Sequence, residues 1–171
     1  MLHDEQLLVL VTVGTDHHPF QRLVDWIDRW PARPTATVVV QHGTATPIVG
    51  AQCHQYLTSS QMNRLLASAD AVVCAGGPAT VMDARRVGRR PIVVPRIGAR
   101  GEHVDDHQLS FARHLADEGL ACVVEDPQDL YFELDRMFVD ASVHRIEPAA
   151  AEPLGVRRVG DMIDSLVRSR S

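Results

Sequence analysis

Lysine is missing altogether: the 17 basic residues of this 171-residue chain are all arginine. That excludes a catalytic lysine, a Schiff base and a Walker-type phosphate-binding lysine. Cysteine is scarce, and Cys53, Cys74 and Cys122 form no CxxC pair. An odd, scattered set of thiols excludes a disulfide framework and a cysteine-built structural zinc site, and is expected to stay reduced. Long apolar runs are also lacking. Leu7–Val13, interrupted by Thr12, is far short of the roughly 20 residues that span a bilayer. It follows Asp4 and Glu5, not a basic region, so it does not read as a signal peptide. A basic excess is absent too, and a formal net charge of −5 argues against general nucleic-acid binding. What is present is a 45% hydrophobic fraction, enough for the core of one ordinary domain and too much for a disordered chain.

The apolar residues alternate between two periods. Short Val-rich runs at Leu7–Val13, Ala36–Gln41, Asp70–Cys74, Pro91–Pro95 and Ala121–Val124 read as strands buried on both faces. A further strand is expected near Val49–Cys53. Between them lie helical faces: Phe20, Leu23, Val24 and Ile27 after Pro19, and Met62, Leu65, Leu66 and Ala69 after a capping-box pair, Thr58 and Gln61. Further helices are expected from 78 to about Val87, stopped by Gly88, from Asp105 to about Glu118, stopped by Gly119, and from Asp126-Pro127 to about Phe138. The pattern predicts a doubly wound α/β domain with a parallel sheet and helices on both faces, over residues 1–146. Residues 147–153 (EPAAAEP) read as a linker, and 154–171 as an amphipathic helix carrying Val159, Met162, Ile163, Leu166 and Val167. That helix is expected to pack on its own domain or on a partner.

In such sheets a ligand lies beyond the carboxyl ends of the strands, so the strand-to-helix loops carry the chemistry. Gly76, Gly77 and Thr80 at the mouth of a helix make an anion site, where glycines allow close backbone approach and the first helical amides point outward. Asp83, one turn on, has the chemistry to hold ribose hydroxyls. The alternative is that Gly76-Gly77 serve a tight turn and Thr80 a cap. The segment Arg96–Gln108 is a long polar loop that includes His103, Asp105, Asp106 and His107. A metal at His103 and His107 lacks a clear third ligand, so hydrogen bonding to a polar ligand is preferred, and Asp105 or Asp106 has the alternative role of helix cap. Six arginines between Arg85 and Arg100, with no acid among them, read either as a solvated face or as anion contacts, with Arg96 and Arg100 lining the cleft.

The stretches VTVGTDHHPFQRLVDWI, GGPATVMDARRVGRRPIVVPR and GEHVDDHQLSFARHLADEG, in this order over about residues 7–140, resemble the C-terminal, donor-binding half of GT-B glycosyltransferases of family 28. Within it, the chain is most similar to the small soluble subunit of two-component bacterial exopolysaccharide glycosyltransferases, and to the catalytic subunit that adds the second N-acetylglucosamine to a dolichol-linked sugar. The resemblance implies a Rossmann-like nucleotide-sugar domain, with Gly77 and Thr80 on the donor diphosphate and Asp83 on the ribose. It implies further that His107 and Gln108 face the donor sugar, that Tyr56 and Leu57 line the uracil pocket, and that Gly14 and Thr15 approach the diphosphate from the opposite side. One departure stands out: many relatives carry histidine before the glycine pair, and this chain has Ala75.

The implied activity is transfer of a sugar from a UDP-sugar to a polyprenyl-diphosphate-linked acceptor, with no cofactor and no required metal. The implied partner is a membrane-anchored acceptor-binding subunit that also supplies the general base and draws this cytoplasmic subunit to the inner face of the membrane. Within the chain only His17 and His18 are local candidates for that base. Two rivals remain: a non-catalytic nucleotide-sugar-binding scaffold, and a stand-alone nucleotide-sugar epimerase, which would need a second domain.

Overall fold

The structure, a computed structural model, describes residues 6–149. The helix expected at 154–171 lies outside the described residues, as do residues 150–153 of the linker.

Six strands form one sheet: β1 (Leu8–Thr12), β2 (Thr37–Gln41), β3 (Gln52–His54), β4 (Ala71–Cys74), β5 (Ile92–Val93) and β6 (Cys122–Val123). All pairings are parallel, in the order β3-β2-β1-β4-β5-β6. The chain reverses direction across the sheet between β1 and β4, which opens a crevice at the carboxyl ends of those two strands. The expected third strand forms, shifted to Gln52–His54. The runs at 91–95 and 121–124 shorten to two paired residues each, because only those stay in register with neighbours.

Alternate residues of the strands feed two apolar layers, as a period of two requires. Val9, Val11, Val38, Val40 and Val73 face α1 (Gln21–Asp28) and α5 (Pro127–Val139), together with Phe20, Trp30, Leu130, Leu134 and Met137. Leu10, Val39 and Val72 face α2 (Ser59–Ser68) and α3 (Pro78–Arg86) through Leu66 and Ala84. Cys74 and Val93 meet α4 (His107–Asp117) through Phe111 and Leu115. With helices on both faces, the α/β doubly wound reading holds.

Local signals place the helix ends. Thr58 and Gln61 form a reciprocal capping box at α2, and Asp126 accepts from the Asp129 amide with Pro127 at the first position of α5. Pro19 stays just outside α1, which starts at Gln21 with Phe20 as its cap residue. Gly88 ends α3 at φ +76°, where a Cβ would sit 2.9 Å from the Ile146 carbonyl oxygen. The described part of the linker runs back along this turn, with the Ile146 amide donating to Gly88 and the Ala149 amide to Arg85.

Candidate functional site

A cavity of about 480 Å³ lies at the carboxyl ends of β1, β2 and β4, within the range of roughly 300–1,000 Å³ usual for small-ligand sites. Two loop segments and two helix starts form most of its wall. The loop after β1 contributes Gly14, Thr15 and Asp16; the segment before α2 contributes Tyr56 and Leu57; the start of α3 contributes Ala75, Gly77, Pro78, Ala79 and Thr80. Gln108, in the first turn of α4, completes it.

The start of α3 turns unpaired backbone amides toward the cavity. Gly77 is the N-cap residue with no side-chain cap, and Pro78 takes the first helical position without an amide to satisfy. The amides of Ala79 and Thr80 then have no carbonyl to reach within the helix, and the positive end of its dipole points at the cavity. Gly76 sits behind this wall at φ +87°, its would-be Cβ 2.8 Å from Val93 Cγ1. Its amide donates to the buried Cys74 sulfur. Gly76 therefore shapes the turn, while Gly77 meets the cavity.

Gln108 brings the second cue. Its Oε1 is buried and makes no hydrogen bond among the described residues. A buried amide oxygen without a donor is costly, and a ligand hydroxyl or amide would satisfy it. His107, expected beside it, turns away: its Nδ1 lies 2.7 Å from Asp105 Oδ2, and it does not line the cavity. The hydrogen bonds from the His107 amide and ring dominate at Asp105 and hold its carboxyl below the usual carboxylate range. Asp105 thus serves the start of α4, whereas Asp106 accepts from the Gly98 amide and pins the preceding loop.

Two buried polar residues frame the site. Gln41 ends the apolar run of β2. Its Oε1 accepts from the Thr12 hydroxyl at 2.6 Å and the Gly14 amide at 3.1 Å, and its Nε2 donates to the carbonyls of Gly14 and Gln55, each at 2.9 Å. One side chain thereby ties the β1 loop to the segment that carries Tyr56 and Leu57. Sequence reasoning missed Gln41. The available signal was a polar residue closing an all-apolar strand.

Arg96 lines the cavity, as expected, and is also tied into the backbone around it. It touches the cavity but is 1% exposed, and it donates to the carbonyls of His18 at 2.8 Å, Glu102 at 2.7 Å and Val13 at 2.7 Å. Its guanidinium lies 4.8 Å from the Phe20 ring centroid. Burial lowers its pKa, and the charges of Asp16 and Glu102 oppose that. With three of its five N–H donors turned to backbone carbonyls, Arg96 clasps two loops while it lines the cavity. Arg100 is exposed and lies off this cavity. Glu102 is equally structural: it pairs with Arg22 through two contacts of 2.7 and 2.8 Å and accepts from the Ile97 amide.

Of the remaining expected residues, Gly14, Thr15, Tyr56, Leu57, Gly77 and Thr80 converge on the cavity. Asp83 does not line it. It is 41% exposed on α3, three residues after Thr80, and pairs with Arg86 at 2.7 Å. His18 is held by Asp16, ring Nδ1 to Oδ1 at 2.7 Å, and His17 is exposed beside it; neither reaches the cavity wall. Cys74 and Cys122 are not nucleophiles, since burial pushes their thiols up to about 12 and about 11. Among the described residues no helix is long and apolar enough to cross a membrane.

With this geometry in view, the comparisons with known proteins agree. The profile of the glycosyltransferase family 28 C-terminal domain matches residues 8–158. A curated relative from Leuconostoc mesenteroides, a UDP-N-acetylglucosamine–N-acetylmuramyl-(pentapeptide) pyrophosphoryl-undecaprenol N-acetylglucosamine transferase, is 27% identical over 110 residues. That alignment covers 62% of this chain and 29% of the relative, so the chain spans under a third of that protein's length. Among solved structures, the glycotransferase of kitacinnamycin superposes with a TM-score of 0.62 at 18% identity, covering 84% of this chain and 37% of that one. ALG13 superposes with a TM-score of 0.56 at 15% identity, covering 87% and 92%. These likenesses establish a shared fold.

Proposed function

Since the chain belongs to the glycosyltransferase family 28 C-terminal domain family, we propose that it is the donor-binding part of a glycosyltransferase, holding a UDP-sugar in the cavity at the start of α3. The observation that carries this reading is the wall of Gly77, Ala79 and Thr80 facing Gly14 and Thr15 across one cavity, with the unpaired Gln108 Oε1 beside it. The helix-terminal amides and the Thr80 hydroxyl stabilise the negative charge that develops on the departing diphosphate. Gln108 accepts a hydroxyl of the donor sugar, Tyr56 and Leu57 cover the uracil ring, and Asp83 reaches the ribose from the next turn of α3.

The acceptor is a polyprenyl-diphosphate-linked sugar, and the acceptor-binding half and the general base come from a membrane-anchored partner subunit. That partner recruits this cytoplasmic subunit to the inner face of the membrane. A match covering 92% of the ALG13 chain supports the idea that a domain of this size stands as one polypeptide. Incubating the protein with radiolabelled UDP-sugar and polyprenyl acceptor, with and without the partner, tests the proposal. Transfer that needs both components is the expected result, and turnover by this chain alone would overturn the division of labour.

Asp83→Ala is expected to leave folding unchanged, because the side chain is solvent-facing and pairs only with Arg86 on its own helix. UDP affinity should fall by about 1.5–3 kcal/mol through the lost charge-assisted hydrogen bonds. Calorimetric titration giving the wild-type affinity would remove Asp83 from the site.

Ala75 favours a second reading, a nucleotide-sugar-binding scaffold without transfer. It lines the cavity immediately before the glycine pair while packing into the core at 5% exposure. Ala75→His is expected to tighten UDP binding by roughly 1.5–3 kcal/mol through a charge-assisted contact to phosphate. The gain should grow as pH falls toward about 6.5, because the imidazolium is the form that pairs with an anion. Lower melting temperature without tighter UDP binding would show that the turn has closed around alanine.

A further inference from the structure

The β1 loop and the loop before α4 meet at a carboxylate that the donor reading does not use. Asp16, His17 and His18 place one ligand atom each within 4.8 Å of one another. Asp16 divides its two oxygens. Oδ1 accepts from the His18 amide at 2.8 Å and lies 2.7 Å from the His18 ring nitrogen Nδ1. Oδ2 faces His103 Nε2 from the opposite loop at 3.6 Å. That separation is too long for a hydrogen bond. It matches two ligands held about 2.0–2.2 Å from one zinc ion at an angle near 120°.

The surroundings hold these groups in place without neutralising them. Asp105 lies behind His103: its amide donates to Nδ1 at 3.4 Å and its carboxylate oxygen lies 3.4 Å from the same nitrogen, so the ring is held from behind. Arg96 fastens both loops by their backbones, through the His18 and Glu102 carbonyls, so the two halves of the cluster are positioned before any ion arrives. His17 is exposed and stacks on His18 with ring centroids 4.0 Å apart, which leaves an open side to solvent. The pairing is invisible in the sequence, where His103 and His107 stand at ligand-like spacing; the fold gives His107 to Asp105 and His103 to Asp16.

We propose that Asp16, His17, His18 and His103 form a binding site for a divalent transition-metal ion of the zinc type, joining the β1 loop to the loop before α4. The imidazole-carboxylate donor set suits zinc and its neighbours, not magnesium or calcium, which take oxygen. The site stands whether or not the cavity takes a UDP-sugar. An ion here cross-links two loops 85 residues or more apart in sequence and stabilises the folded chain in proportion to its occupancy.

The test uses the untagged full-length protein, stripped with a chelator and titrated with zinc chloride alone by calorimetry, with melting temperature as a second readout. One equivalent should bind, and the melting temperature should rise with zinc concentration. His103→Gln and Asp16→Asn should each weaken binding at least tenfold, whereas His54→Gln, away from the cluster, should not. Magnesium should give neither heat nor a rise in melting temperature. No zinc binding below 100 µM, or binding that His103→Gln and Asp16→Asn leave intact, would overturn the proposal. Asp16→Asn keeps the loop's hydrogen-bonding shape, and circular dichroism of both variants separates loss of ion from loss of fold.

Discussion

Arg96→Met is expected to destabilise the domain by about 3–5 kcal/mol, because three backbone carbonyls lose one shared donor. The substitution leaves the carbonyls of Val13, His18 and Glu102 without their donor, and each buried acceptor so stranded costs about 1–3 kcal/mol. Methionine keeps most of the side-chain length over the Phe20 ring, so the loss reports hydrogen bonds more than a cavity. Arg96→Lys should recover only part of it, because an ammonium cannot fork to three carbonyls in fixed directions. Denaturant unfolding with UDP titration on the same samples decides the matter. A variant of near wild-type stability whose UDP affinity collapses would return Arg96 to the role of a direct phosphate ligand.

The second large effect is expected from the glycine pair, whose members should respond in opposite ways. Gly76→Ala places a Cβ at φ +87°, in the left-handed region that costs an L-residue about 1–2 kcal/mol. The same Cβ would come 2.8 Å from Val93 Cγ1, and the overpacking adds about 1–3 kcal/mol. A total near 2–5 kcal/mol should lower the melting temperature by roughly 5–20 °C for a domain of this size. Gly77 has φ −59° and nothing within 4 Å of its would-be Cβ. Gly77→Ala should therefore stay within about 0.5 kcal/mol of wild-type stability. Its new methyl group would stand at the cavity wall, so UDP affinity should fall. If Gly77→Ala binds UDP as well as wild type does, the diphosphate does not approach the backbone there.

Most of the framework was legible in the chain because it depends on neighbours in sequence. Runs such as AVVC and TVVVQ are too apolar to face water on either side, which already dictates a parallel sheet covered by helices. Thr58 with Gln61, Asp126 with Pro127, and Gly88 act within a few residues of themselves, and each does so as expected. The helix mouth at the cavity was legible for the same reason: glycine, proline and threonine at a helix start carry their chemistry in the local backbone.

Only the tertiary structure decided what each long side chain of the site does. Arg96 reads from the sequence as a cleft-lining cation, and the fold adds its reach to Val13 and His18, 83 and 78 positions away, which makes it a clasp as well. Gln41 gained its role by lying between Gly14 and Gln55, and His103 gained a carboxylate partner in Asp16 while His107 was taken by Asp105. A buried arginine, glutamine or histidine must satisfy its polar atoms with whatever the fold brings near, and that is fixed by the crossing of loops, not by spacing along the chain. The sequence thus determined the sheet, its helices and the glycine-proline helix mouth at the cavity. The packing of two loops against each other determined which polar groups remain free to meet a ligand.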